Sequence, residues 1–272
     1  MYFFNILHNN YINHDLFKIL TEGNVKILDS TTSRIKVRLI ILIYGCVTIE
    51  KYANIVRGIS ETWGLDCDKH NVPYFIFVGK TTEEFKDNEH VISLEHKGVV
   101  DDYLSATDKH YLGLEWIIEN YDADFIYIGG DVYINTINLL SLVNQFDARQ
   151  PFYIGDGRYI VDILGNHSDI HDGGPGYIIT SSLANKIYPY LSTIKQQWIH
   201  ILTKSHSKNM IDWFSPACDV SMTFLCKFVG CVFIKVLDNF LYNLPLTKFK
   251  NRVITCHGMT RELMNSYRDD EK

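Results

Sequence analysis

The sequence predicts an α/β fold, a central mixed and mostly parallel sheet flanked by helices, on three observations. Apolar runs of strand length recur at Lys36–Tyr44, Tyr74–Val78, Val91–Leu94 and Asp124–Ile128. Segments with helical spacing separate them, at about Glu50–Trp63 and Ser105–Asn120. The chain has 272 residues, 46% of them hydrophobic and 13% aromatic, which is enough to bury one large core. Such alternation implies strand–helix–strand crossovers and hence parallel neighbours.

In chain order, the strand Lys36–Tyr44 holds most of the longest apolar stretch, Val37–Val47. That stretch is about half the length of a membrane-spanning helix and sits among Arg34, Lys36 and Arg38, so it reads as a buried strand. In the second helix Tyr111, Leu112, Trp116 and Asn120 recur at helical spacing, and the strand after it ends on Gly129, Gly130 and Asp131. A short helix near Ile137–Asn144, a strand Phe152–Gly155, a glycine-rich segment Asp172–Tyr177 and a helix at about Ser182–Tyr190 follow. Residues 192–212 show no firm pattern. Val220, Phe224, Leu225, Phe228 and Val229 form the apolar face of a helix that Asp219 would cap and Gly230 would end, and Cys231–Leu237 reads as a strand. Residues 1–35 and 261–272 read as peripheral, leaving 36–260 as one domain.

Composition excludes several function classes. Lys and Arg total 26 against 32 Asp and Glu, a net charge of −6, and the basic residues are scattered, so no stripe for nucleic acid is expected. Met1–Leu20 lacks the basic start and clean apolar centre of a secretory signal. The six cysteines make no Cys-x-x-Cys spacing; most are expected as core thiols, with an oxidised pair left open. These features fit a cytosolic protein or a soluble domain trimmed from a secretory-pathway protein, and the sequon Asn166-His167-Ser168 does not separate the two.

In open α/β sheets ligands bind beyond the carboxyl ends of the strands, and Asp131 stands there. An acid after Gly-Gly is also an ordinary turn residue, and Asp219 is also an ordinary helix cap. His257, in Thr255-Cys256-His257-Gly258, is either a metal ligand or hydrogen-bonded structure.

Six segments in order resemble the β1,3-glycosyltransferase family that includes the fringe proteins and the core 1 galactosyltransferase, across roughly Arg38 to His257. Glu61-Thr62-Trp63-Gly64 with Cys67-Asp68 resembles the family's Thr-Trp segment beside the nucleotide, although Arg57 is out of register with its upstream basic residue. Asp101-Asp102-Tyr103-Leu104-Ser105-Ala106-Thr107-Asp108-Lys109 is similar to Asp-x-Tyr-x-Asn-Leu-Thr-x-Lys, with Tyr103, Thr107 and Lys109 in register. Ala123 to Ile134 resembles the strand that leads to three acids, of which only the last, Asp131, is kept; Gly129 and Gly130 replace the others. Asp172-Gly173-Gly174-Pro175-Gly176-Tyr177 is similar to the family's Ser-Gly-Gly-Ala-Gly-Tyr, which shapes the donor-sugar and acceptor pocket. Cys218-Asp219-Val220 resembles the Glu-Asp-Val that carries the catalytic base, and Val253–His257 resembles a late strand ending in a metal-binding His.

The resemblance implies a GT-A type, Rossmann-like fold and an inverting transfer of a hexose or N-acetylhexosamine from a UDP-sugar to a glycan or glycoprotein hydroxyl. A β linkage, in the family β1,3, would result. Asp131 and His257 would hold Mn²⁺ or Mg²⁺ on the diphosphate, and Asp219 would deprotonate the acceptor. Trp63, Tyr103, Lys109 and Gly130 would line the nucleotide side, and Gly173, Gly174 and Tyr177 the sugar side. The alternative is a non-catalytic sugar- or partner-binding member of the same fold. A two-metal nucleotidyltransferase would need clustered acids, and Asp131 has none within six residues. Donor sugar, acceptor and oligomeric state are not readable from the chain.

Overall fold

The computed structural model describes residues 4–7, 26–29, 31–102, 104–161, 167–204, 217–237, 239–242 and 253–269. Tyr103 and Asn166 lie outside them. In order, the elements are β1 (Phe4–Leu7), β2 (Ile35–Tyr44), α1 (Glu50–Glu61), α2 (Trp63–Lys69), β3 (Tyr74–Val78), β4 (Val91–Ser93), α3 (Ala106–Asn120) and β5 (Tyr121–Gly129). Then come β6 (Val132–Ile134), α4 (Thr136–Val143), β7 (Phe152–Gly155), β8 (Arg158–Val161), β9 (His167–Ile170), β10 (Tyr177–Thr180), α5 (Ser181–Ile187) and α6 (Ile194–Lys204). The chain closes with α7 (Cys218–Phe228), β11 (Val232–Val236), β12 (Phe240–Tyr242), β13 (Thr255–His257) and α8 (Arg261–Asp269).

Eight strands form one mixed sheet in the order β1-β11-β7-β10-β5-β2-β3-β4. The run β4, β3, β2, β5 is parallel throughout, β10 is antiparallel to both β5 and β7, and β7 pairs parallel with β11. The strand residues sort onto the two faces by the period of two. Leu39, Ile41 and Ile43 of β2 and Phe125 and Tyr127 of β5 pack with α1, α4 and α8. Ile40, Leu42, Ile126 and Ile128 pack with α3, α5 and α7 on the other face. Helices on both faces account for strands apolar at nearly every position. A smaller sheet, β12-β13-β6, stands beside the large one and carries His257 opposite Val132.

Several boundaries differ from the sequence expectation. The first helix breaks at Thr62, whose φ of −121° and ψ of −105° end α1 before Trp63 starts α2. Residues 192–212, read as patternless, include α6, whose Ile194 and Trp198 are buried. Residues 4–7, read as peripheral, add an edge strand antiparallel to β11. Residues 261–269 form α8, which packs on α1, with Arg261 Cα 3.0 Å from where a Cβ on Gly58 would lie and Met264 fully buried. Asp219 is not the N-cap of α7; Ala217 is, and Asp219 lies inside the first turn. All six cysteines carry free thiols, five of them buried. Among the described residues no helix is long and apolar enough to cross a membrane.

Candidate functional site

Because α1 and α3 carry the chain to opposite sides of β2, the strand order reverses between β2 and β5, and the crevice at their carboxyl ends is the expected ligand position. A cleft of about 340 Å³ opens there, within the size range of small-molecule sites. Tyr44 at the end of β2, Gly45 and Cys46 after it, Ile49 at the N-cap of α1, Tyr52 and Ile55 within α1, and Asp102, Lys109, Gly130, Asp131 and His257 line it.

Asp131 sits with Gly130 in the two-residue turn from β5 to β6, and its carbonyl accepts from the Gly258 and Met259 N–H groups at 3.1 and 3.3 Å. The β6–β13 pairing brings His257 alongside, and His257 Nε2 lies 2.9 Å from Asp131 Oδ1. Their side chains are 30% and 38% exposed, so the pair faces the cleft. Burial works against the charged imidazole, but the hydrogen bond and charge of Asp131, helped by Asp172, hold the His257 pKa above its ordinary value.

The 2.9 Å contact is a hydrogen bond in this structure; a carboxylate oxygen and an imidazole nitrogen that both face the cleft are also a donor set suited to a divalent cation such as Mn²⁺, which would take the place of the shared proton. No group of three or more His, Cys, Asp or Glu suited to a metal occurs among the described residues. A cation here would draw its remaining ligands from phosphate and water, the usual habit of Mg²⁺.

The glycine-rich loop joins this pair to Asp219. The Gly173 N–H donates to Asp219 Oδ2 at 2.9 Å, and the Val220 N–H donates to Oδ1 at 2.8 Å. Burial, with the nearby Asp172 charge, raises the Asp219 pKa, although the Gly173 N–H acts in the opposite sense. A Cβ on Gly173 would lie 3.0 Å from Asp219 Cβ, and one on Gly174 3.1 Å from the His257 ring. Glycine at both positions lets the loop pass between base candidate and metal-ligand candidate. Gly176, at φ +77°, makes the turn into β10; a side chain there would meet Tyr127 Oη at 2.2 Å.

Tyr44, which sequence reasoning missed, fills the space between these groups. Its hydroxyl donates to the Gly173 carbonyl at 3.1 Å, and its ring lies 2.9 Å from where a Cβ on Gly130 would be. A Cβ on Gly129 would meet Tyr127 Oη at 2.8 Å. Two tyrosines thus occupy the room that acids at positions 129 and 130 would need. The available signal was position: Tyr44 ends the strand at the switch point.

The other expected residues are placed as follows. Lys109 lies on the cleft wall, but its Nζ is committed to Asp101 Oδ1 at 2.7 Å, both side chains being 3% exposed. Asp101 also accepts from the N–H groups of Gly79 at 2.8 Å, Val47 at 3.0 Å and Thr48 at 3.3 Å. Burial opposes its charge, yet Lys109 and these donors lower its pKa. Trp63 is fully buried, donating from Nε1 to the Val132 carbonyl at 3.0 Å, and Tyr177 is buried with its hydroxyl 2.8 Å from His110 Nε2. Neither lines the cleft; Trp63 holds β6 beside Asp131, and Tyr177 meets α3, which carries Lys109. Arg57 is engaged by Glu84 and Glu50 at 2.6 and 2.7 Å. Gly130, Asp131, Lys109 and His257 are therefore assembled on the cleft, with Gly173, Gly174 and Asp219 adjoining it through Tyr44 and His257.

No protein-family model matches the chain, and a search of curated proteins finds no match.

Proposed function

We propose that this chain is an inverting, metal-dependent glycosyltransferase of GT-A type, similar to the β1,3-glycosyltransferase family, that moves a hexose or N-acetylhexosamine from a UDP-sugar to a hydroxyl acceptor. The observation that carries the reading is the pairing of Asp131 with His257 at 2.9 Å at the switch point, with Asp219 tied to the loop that passes behind His257. A divalent cation, when bound, supplies the positive charge that stabilises the leaving diphosphate. Asp131 and His257 would hold it. Asp219, raised in pKa and held by two N–H groups, keeps lone pairs free to take the proton of an acceptor hydroxyl. Attack on the face opposite the diphosphate inverts the anomeric carbon, so an α-linked donor gives a β product. Ile49, Tyr52 and Ile55 offer an apolar wall to the nucleotide side.

The test is UDP release from UDP-galactose, UDP-glucose and UDP-N-acetylglucosamine with Mn²⁺, on wild type and Asp219→Asn, in the presence of a glycan acceptor panel. Release by wild type and its loss in the variant support the reading; metal-independent release unaffected by the variant contradicts it. A second reading, a non-catalytic sugar- or partner-binding protein, is favoured by one observation: Tyr44 and Tyr127 fill the positions of the two absent acids. It requires sugar or nucleotide binding that ignores metal.

A further inference from the structure

The loop Asp172–Gly176 touches Asp219 through Gly173 and His257 through Gly174, so the group that fixes this loop fixes the separation of the two. Arg158, first residue of β8 and paired with Ile170 of β9, reaches across to it. Its Nε lies 3.2 Å from Asp172 Oδ2 and 3.3 Å from Asp156 Oδ2, and its guanidinium covers the Tyr242 ring at 3.9 Å. Each partner leads back to the site. Asp172 Oδ1 accepts from the Gly174 N–H at 2.9 Å, and the Asp172 N–H donates to Asp156 Oδ1 at 3.2 Å. Tyr242 Cε1 lies 2.9 Å from where a Cβ on Gly174 would be, and its ring meets the His257 imidazole edge-on at 5.4 Å. Without a cation, two adjoining carboxylates that are only 12% and 23% exposed would repel.

We infer that Arg158 is a positioning residue, a guanidinium clamp on Asp156, Asp172 and Tyr242 that holds the glycine-rich loop at the spacing Asp219 and His257 need for transfer. The inference rests on the glycosyltransferase reading of this site. Arg158 touches neither Asp131 nor the α1 side of the cleft, so its reach into the nucleotide and metal side runs only through Tyr242 and His257. One atom of the guanidinium, Nε, faces both carboxylates while the group lies over the Tyr242 ring; a lysine supplies charge at one point but no flat cation to stack there.

The experiment compares wild type, Arg158→Ala and Arg158→Lys in two ways: UDP release from whichever of UDP-galactose, UDP-glucose and UDP-N-acetylglucosamine wild type turns over fastest, and calorimetric Kd for UDP with Mn²⁺. Expected for Arg158→Ala is a kcat lower by about tenfold or more, with a clearly smaller weakening of Kd, because Asp131 and the α1 wall are untouched and misplacement of Asp219 against His257 costs rate before binding. Millimolar methylguanidinium should restore part of that kcat, and Arg158→Lys should fall between. An unchanged kcat overturns the inference, as does a parallel loss of kcat and Kd with no rescue. The ¹⁵N-edited imidazole signals of His257, recorded without substrate, separate the two levels. If wild type turns over none of the three donors, the proposed function fails, and the clamp stands or falls on those signals: displaced in Arg158→Ala they support it, unchanged they overturn it.

Discussion

Replacing Lys109 with Met removes one cation from a place where almost nothing else can neutralise Asp101. The ammonium is 2.7 Å from Oδ1 and both side chains are 3% exposed, so solvent screens the pair little. Methionine matches the length of the stem and leaves no large void, which isolates the electrostatic effect. Breaking a buried pair from one side typically costs about 3–5 kcal/mol, because the remaining charge is stranded. Asp101 keeps the N–H groups of Gly79, Val47 and Thr48, which places the expected loss toward the lower end, about 3 kcal/mol. The dependence on pH gives a second signature. In wild type the folded-state pKa of Asp101 is depressed, so its contribution is present above the unfolded-state value and lost as pH falls through the folded one. Without Lys109 that depression shrinks or reverses, so the deficit of the variant should be full at pH 7 and narrow below about pH 4. Urea unfolding at both pH values, with Lys109→Met/Asp101→Asn as the neutral control, measures it. A loss under about 1 kcal/mol at pH 7, the worth of an exposed pair, would refute the reasoning.

Other outcomes follow from the same contacts. Asp219→Asn should lower turnover by about 10²–10⁴-fold, and stability by about 1–3 kcal/mol because its amide NH₂ must face one of the two N–H groups; activity assay and chemical denaturation read the two. Gly130→Asp should not strengthen metal binding; it should destabilise by about 1–3 kcal/mol through the Tyr44 ring, and Tyr44→Ala in the same chain should relieve that cost, as a double-mutant cycle would show. Gly176→Ala combines a positive φ with contacts at 2.2 and 2.5 Å to Tyr127 Oη and the Ile128 carbonyl, and should cost at least about 2 kcal/mol, read as a lower midpoint in urea.

The parallel half of the sheet was legible because its strands are apolar on both faces. Tyr74–Val78 falls where its apolar run placed it, and so does Phe152–Gly155 in the mixed half. Elements defined by distant partners were not legible: Phe4–Leu7 is too short for periodicity and is a strand only because Val236 to Phe233 pair with it. Arg261–Asp269 reads as a polar tail until Met264 and Tyr267 find α1 and Tyr133. At the site, chain order pointed to Asp131, Asp219 and His257, but spacing could not say that Lys109 is tied to Asp101 or that Trp63 faces inward. Tyr44 and Arg158 act through contacts spanning 129 residues in one case, which no local pattern encodes.

The central claim is that Asp131 and His257 form the protein's share of a cation site completed by a nucleotide diphosphate. Calorimetric titration of UDP with Mn²⁺ present and absent, on wild type and Asp131→Ala, tests it most directly. Metal-dependent UDP binding by wild type that disappears in Asp131→Ala is the expected result; UDP binding that is indifferent to Mn²⁺ and to the substitution, or no binding at all, would contradict it.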